Sequence, residues 1–503
     1  NCFCSFFLLP AARQLGGQFA TESGGQLLRN THPILTEMKP ILSTVSWLIL
    51  YALLYRSITP GMAQHKLIVV DPGHFHAALV QKTRYPGVDP VVHVYAEKES
   101  DLADYLAKIR SYNSRADFPT NWVEEVYTGA NFLDSMRTGK KGDIVVLAGN
   151  NKKKISYIKE AMDAGLNVLA DKPMVIDPQG FEILKDLFSA PQKKNLLLYD
   201  IMTARYGIVN ILQRELAQIP GIFGKLENGT PSNPAIINES KHHFFKMVSG
   251  KPLLRPTWFF DVLQQGMGIV DVGTHLVDQI QWSGFPNVML DYQKDIDMIS
   301  SKISSTPITL AKFRSVTGAG EFPEFLRQAV TDSVLQVYSN GVIDYRLKGV
   351  HARVEVRWGF RAPEGEGDTH YSVMRGSKAD LVIRQGFEQH FKPVLYIENH
   401  QKDTAYEKTL KKHFKAVKDR FPGVELEKTV KGWRVAVPAR YFQDHEESFA
   451  RVVSQYLSFL KERALPDWEI PNMLAKYYIL TQAMKNAVKV APENSEAAAD
   501  RKE

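Results

Sequence analysis

Thiol chemistry is almost closed to this chain. Its two cysteines, Cys2 and Cys4, stand at the extreme N-terminus and everything after them is cysteine-free. A thiol nucleophile, a thiolate zinc site and a disulfide framework are thereby excluded from the body of the protein. A cysteine-free body suits an oxidising compartment. Excess charge of one sign is scarce as well. Lys+Arg number 62 against 55 Asp+Glu, a net +7 spread over 503 residues. The short clusters Lys152–Lys154 and Lys411–Lys412 read as solvated helix faces, so no nucleic-acid partner is expected. There is one long apolar run, Ile41–Tyr55, and it falls short of the ~20 residues a bilayer span needs. Met38-Lys39 precedes it, and Gly61-Met62-Ala63 follows with small residues at −3 and −1 of a cut before Gln64. Basic, apolar, small is the secretory order, and no twin arginine precedes the run. Residues 1–63 are therefore expected to be a leader, with 1–37 ahead of the native start. The mature chain is expected to be exported, to a periplasmic or extracellular location, without a stable membrane span.

What remains has the composition of a globular protein, 44% hydrophobic and 23% charged, and its length predicts two domains. Lys66–Asp71, Val91–Ala96, Trp122–Tyr127, Asp143–Ala148, Leu166–Ala170 and Leu196–Tyr199 are short apolar runs of buried-strand type. Helical segments alternate with them at Ala77–Lys82, Ile155–Ala164 and Gly180–Ser189. That alternation implies βαβ units and a parallel sheet. Beyond residue 200 the pattern turns to period two, in Val334–Leu347, Ala352–Phe360 and Tyr371–Ile383, as in a large, mostly antiparallel sheet. Helices follow at Tyr406–Arg420, Glu446–Ala464 and Asn472–Val488. The expected fold is thus an N-terminal Rossmann domain at 64–203, a C-terminal domain on a mostly antiparallel sheet with extra helices at 204–490, and a polar tail at 491–503.

A strand, a glycine turn and a helix N-terminus together make a pyrophosphate site. Here Asp71-Pro72-Gly73-His74-Phe75-His76 stands where G-x-G-x-x-G is expected, and the middle glycine alone is kept. Glu97, at the end of the second run, is placed to bind a ribose 2′-hydroxyl, which favours NAD over NADP. Further on, the run DIVVLAGNNKKKISYIKEAMDAGLNVLADKP, Asp143–Pro173, resembles a signature of the glucose–fructose oxidoreductase/inositol dehydrogenase family (Gfo/Idh/MocA). Gly149-Asn150-Asn151 stands for that family's Thr-Pro-Asn, Lys154 for a frequent His, and Asp171-Lys172-Pro173 for Glu-Lys-Pro. The resemblance implies a nicotinamide cofactor, with Lys172 reaching both nicotinamide and a substrate hydroxyl and with Pro173 cis; export of the chain favours a tightly retained cofactor.

Gly266–Trp282 reads GMGIVDVGTHLVDQIQW, and its Asp271, Gly273, His275 and Asp278 match the family's Asp-x-Gly-x-His-x-x-Asp. On one helix, Asp271 and His275 share a face with Asp278. His275 is the expected general acid/base, Lys172 its electrostatic partner and Asp271 a substrate-positioning group. Arg205, with its neighbour Tyr206, Arg255 and Trp258 are further candidates for the substrate cleft. The stretch Lys241–Lys246, KHHFFK, lacks metal-ligand spacing, and no metal is expected. The reading is an NAD(P)-dependent oxidoreductase acting on a hydroxyl of a sugar, glycoside or polyol, with a homo-oligomer formed through the C-terminal sheet. Its alternatives are an NAD-dependent glycosidase working by transient oxidation and elimination, and a non-catalytic dinucleotide- or glycan-binding protein.

Overall fold

The computed structural model describes residues 65–98, 102–190, 195–248, 251–400, 404–443 and 445–491. The expected leader and tail lie outside these residues. No helix among the described residues is long and apolar enough to cross a membrane.

Six parallel strands form the first sheet: β1 Leu67–Val70, β2 Val91–Ala96, β3 Val123–Thr128, β4 Ile144–Leu147, β5 Asn167–Asp171 and β6 Leu198–Ile201, in the order β3-β2-β1-β4-β5-β6. Every residue of β1 and β4 is buried, which explains their uninterrupted apolar sequence. Helix α1, His76–Val80, follows β1 and is only five residues long, shorter than the sequence pattern suggests. Helix α2, Asn151–Asp163, follows β4; Asn150 caps it by accepting from the Lys152 N–H.

The second sheet has eleven strands and is mostly antiparallel. Its centre is β7 Ile236–His243, β8 Ile296–Thr309, β9 Val334–Leu347 and β10 Val350–Gly359, then β11 Thr369–Arg375, β12 Ala379–Gln385 and β13 Val394–Asn399. Starting at one edge the order is Glu425–Lys428, Gly432–Ala436, β13, β12, β11, β7, β10, β9, β8 and Val488–Lys489, with Val330–Thr331 paired to β9. β7 runs parallel to β10 and antiparallel to β11, so the sheet is mixed at its middle. The run Tyr371–Ile383 proves to be two strands, because Gly376–Lys378 turn the chain between β11 and β12.

One face of this sheet is covered by helix α3, Gly273–Gly284, and by α4, Glu469–Lys485. Gly284 meets Ile236 so closely that an added Cβ would lie 2.8 Å from its side chain. The described residues form one compact unit, and the C-terminal helices return to the first sheet: Tyr456 donates to the Leu197 carbonyl and Tyr477 to Asp200.

Within that packing lies a set of charges. Arg205 donates from Nε and Nη2 to the two oxygens of Asp278, both at 2.7 Å, and from Nη1 to Glu469 at 2.7 Å. Lys476, with no exposed surface, bridges Asp278 at 2.9 Å and Asp200 at 2.7 Å. Removing one member leaves its partners charged and buried. Lys476→Met is expected to cost about 3–5 kcal/mol, measurable as a fall in the urea midpoint at unchanged slope.

Candidate active site

The strand order reverses between β1 and β4, so the crevice outside their carboxyl ends is where a doubly wound sheet binds ligands. Gly149 lets the two loops meet there; a Cβ on it would lie 2.2 Å from the Asp71 carbonyl oxygen. Asp71, in the first glycine's place, takes the left-handed conformation at φ 47°, and its carboxylate accepts from Tyr157 at 3.0 Å. The acid therefore faces α2. The loop's own donors are largely engaged: Gly73 N–H goes to the Asp71 carbonyl, His74 N–H to the Ala148 carbonyl, and Pro72 has none. Phe75 occupies the N-cap of α1. Trp258 lies over Gly73, its indole 3.7 Å from where a Cβ would stand, and so belongs to the glycine loop's surroundings.

His76, in the third glycine's place, meets Asp171. Nδ1 lies 2.9 Å from Asp171 Oδ2, and His74 Nδ1 is 3.6 Å from the same oxygen. The three side chains present ligand-type atoms within 4.8 Å of one another. Burial, reinforced by the neighbouring His76, holds His74 largely neutral, below its ordinary titration range. The other oxygen of Asp171 is buried and meets no hydrogen-bond donor among the described residues.

Lys154 explains how the next turn is held. It is 1% exposed, and its ammonium donates to Asn151 Oδ1 at 2.6 Å and to the carbonyls of Asp171 and Pro173 at 2.9 and 3.1 Å. Burial pulls it down to about 8. Lys172 lies between those two carbonyls, before a cis Pro173. Its ammonium reaches across to Asp271, 2.8 Å from Oδ1 and 3.2 Å from the main-chain carbonyl. Both side chains are nearly buried, at 12% and 10% exposure. Burial opposes both charges, but the pairing outweighs it, holding Asp271 below and Lys172 above their ordinary ranges.

Asp271 and His275 do not share one regular helix. The helical turn Gly268–Asp271 ends at Val272, and α3 begins at Gly273. His275 N–H bonds to the Val272 carbonyl, a tightened turn that separates the two side chains from the expected stripe. Asp271 goes to Lys172, Asp278 goes to Arg205 and Lys476, and His275 lines a cavity of about 430 Å³ against the second sheet.

Four groups on the cavity wall were not singled out from sequence as site residues: Ser240, His242, Asp368 and His370. Ser240 and His242 alternate along β7 on the face toward α3, as does Asn238, which donates to the Leu276 carbonyl at 3.0 Å. Ser240 Oγ is 2.8 Å from His242 Nε2, and His242 Nδ1 is 3.1 Å from Asp368 Oδ2. His243 and Lys246 also bind Asp368. Burial lowers His242 despite the nearby Asp368 and Asp271 carboxylates, and pulls His370 down to about 4. No motif joins Asp368 to β7 in the sequence, because the sheet register alone brings them together.

The other sequence candidates fall elsewhere. Arg205 is committed to Asp278 and Glu469 in the core and does not line the cavity. Tyr206 follows it in a short 3₁₀ turn, Thr203–Tyr206. Arg255 is 9% exposed, donates to the carbonyls of Phe244 and His243, and lies over Phe259 and Trp358; burial brings it down to about 10. Glu97 is half-exposed beyond β2, with Lys153 3.9 Å away. Asn150 and Asn151 donate to the Gln264 side chain and the Gln265 carbonyl.

A doubly wound parallel sheet whose ligand-side loops face a mixed sheet is an architecture found in dinucleotide-dependent oxidoreductases. The chain belongs to the family described as "Putative oxidoreductase C terminal domain", whose model matches residues 212–488, more than half of the chain. It is 50% identical to a "putative oxidoreductase" from Parabacteroides merdae ATCC 43184 of known crystal structure, over 85% of this chain and 98% of that one, with a TM-score of 0.83. A levoglucosan dehydrogenase solved with NADH shares the fold at 12% identity and TM-score 0.54, over 84% of this chain and 97% of that one. A 3-ketoreductase from Actinomadura kijaniata, solved with NADP and TDP-benzene, does so at 13% identity and TM-score 0.51, over 85% and 99%. No curated protein matches the chain in sequence.

The Lys172–Asp271 pair makes a pH prediction. Asp271's folded pKa is depressed, so its contribution is present above the unfolded value of ~3.9 and is lost as pH falls through the lower folded one. Lys172's is raised, so its share is lost as pH rises past ~10.4 and through the higher folded value. Asp271→Asn is expected to lower the melting temperature at pH 7 and to flatten its decline between pH 5 and 2. A decline as steep as the wild type's would contradict the pairing.

Proposed function

We propose that the chain is a nicotinamide-dinucleotide-dependent oxidoreductase of Gfo/Idh/MocA type, acting on a secondary hydroxyl of an uncharged sugar, glycoside or polyol. One observation carries the reading: Lys172, at the carboxyl end of β5, is ion-paired with Asp271, four residues before the cavity-lining His275. The residues present fit the cofactor. Gly149 lets the two loops meet at the crevice, the buried Asp171 Oδ1 meets no donor among the described residues, and the half-exposed Glu97 carboxylate suits a ribose diol better than a 2′-phosphate. NAD is accordingly the preferred form. Gly73, His74, Phe75, His76 and Gly149–Asn151 would surround its phosphates, while Asp171, Lys172 and Pro173 would face its nicotinamide end.

When bound, the nicotinamide accepts or returns the hydride. The protein's part is geometry and proton handling. His275 takes the hydroxyl proton as the carbon loses hydride, and returns it in the reverse direction. Lys172 offers an N–H to the developing oxygen charge. Asp271 holds that ammonium in place, which makes it a positioning residue, where the sequence pattern suggested a direct substrate contact. The described cavity wall contains no lysine or arginine, and the one cation given a role there, Lys172, is already paired with Asp271; this supports an uncharged substrate over a sugar acid or sugar phosphate. Export of the mature chain, with cofactor retained in the crevice, completes the reading.

Full-length protein, supplied with NAD and a panel of neutral pyranosides including levoglucosan, is expected to form NADH with at least one of them. Lys172→Ala and His275→Ala should each lower turnover by about 10²–10⁴-fold. His275→Ala should leave the melting temperature within a few degrees, whereas Lys172→Ala, which strands the nearly buried Asp271 carboxylate, should also lower it. Full turnover in either variant would break the assignment.

A further inference from the structure

A base and an orienting acid hold one hydroxyl in the cavity that the redox step does not use. Ser240 Oγ lies 2.8 Å from His242 Nε2, and His242 Nδ1 lies 3.1 Å from Asp368 Oδ2. All three line the same cavity as His275. The protonation pattern follows from the partners. Asp368 also receives His243 at 3.1 Å and the Lys246 ammonium, so it is an ionised, acceptor-only group. The Nδ1 nitrogen of His242 must then carry hydrogen, and with the ring neutral, Nε2 is left as an acceptor for the Ser240 O–H. Trp358 packs against the imidazole at a tilt of 34°, with ring centroids 5.2 Å apart. A nucleophile within hydrogen-bond reach of a base that a third group orients is the arrangement that activates serine, whatever fold carries it.

We propose that Ser240, His242 and Asp368 give this pocket a second, redox-independent activity: cleavage of a small O-acyl ester on an uncharged, hydroxyl-rich compound. Ser240 Oγ bonds to the ester carbonyl carbon as its proton passes to His242 Nε2. The carbon–oxygen bond to the alcohol then breaks, and the alcohol leaves with the proton from Nε2. Water repeats the exchange on the acyl-serine, which releases the carboxylic acid and restores Ser240. Asp368 stabilises the imidazolium at each stage without itself taking the proton. Asn210, Gln279 and Gln385 line the cavity; Asn210 already donates to the Ala204 carbonyl and Gln385 to the Asp368 carbonyl, which leaves each a second amide hydrogen for the ester carbonyl oxygen. The absence of lysine and arginine from the described wall favours an uncharged ester. An acetylated sugar would leave the pocket deacetylated, with its hydroxyl free for oxidation beside His275.

The test needs neither the natural substrate nor the cofactor. Full-length protein is treated with diisopropyl fluorophosphate and mapped by peptide mass spectrometry; in parallel it is assayed with p-nitrophenyl acetate. The expected result is a phosphoryl adduct on Ser240. Ser240→Ala should abolish the adduct and slow ester turnover by about 100-fold or more, and His242→Gln should slow labelling at least about tenfold. Melting temperatures of both variants report on folding. No adduct on Ser240 in the wild type, or undiminished ester turnover in Ser240→Ala, would overturn the proposal. Because NADH formation is not read, its failure leaves the hydride-transfer reading intact.

Discussion

Five charged side chains with almost no access to water tie the molecule together. Arg205 follows the last strand of the parallel sheet, Asp278 belongs to the helix over the mixed sheet, and Glu469 and Lys476 come from the C-terminal helix. Asp200, on β6, closes the set through Lys476. Such a network gains little net stability over an apolar core of the same shape, because each ion has lost its hydration. Separating its members would strand a buried charge, so the network ties the last parallel strand to the helices over the mixed sheet. Tyr477 extends it to the candidate site: it donates to Asp200 and accepts from the Met174 N–H, directly after the cis Lys172-Pro173 bond.

The lysine turn is therefore gripped from both sides. Lys154 binds the carbonyls on either side of Lys172, and Tyr477 binds the amide just beyond. Lys172 itself is aimed at Asp271, a residue 99 positions later on the other sheet's helical cover. Pre-organisation of this kind is what a reaction needs when the cofactor performs the bond-breaking and the protein supplies field and geometry. The cavity that His275 lines is mostly apolar with a few polar groups, and burial holds His242 below its ordinary range and His370 down to about 4. That environment suits hydroxyl groups, which require donors and acceptors rather than counter-charge.

Much of the parallel sheet was legible in the sequence because burial on both faces leaves a continuous apolar run, as at Leu67–Val70 and Ile144–Leu147. Val334–Leu347 was legible for the opposite reason, since one buried face imposes period two. β7 was not, because its Ile-Ile-Asn-Glu-Ser-Lys-His-His carries cavity groups on the face that would otherwise be apolar. For the site, the residue pair Lys172 and Asp271 was visible, but its relation was not: the spacing of Asp271, His275 and Asp278 suggested one stripe, and the break at Val272 sends each to a different partner. Arg205 was drawn toward the cleft by its place after a strand; its bidentate fit to Asp278 could be read only from the fold. The Ser240–His242–Asp368 alignment depends on a pairing between strands more than a hundred residues apart.

On the proposed reading, the crevice between β1 and β4 holds a nicotinamide dinucleotide despite a loop that keeps one glycine of three. Titration of the full-length protein with NADH, followed by its fluorescence, tests this directly. Saturable binding by the wild type is expected, and its loss in Gly149→Val, whose side chain would drive the β4 loop off the Asp71 carbonyl. No binding by the wild type, or equal binding by Gly149→Val, would contradict it.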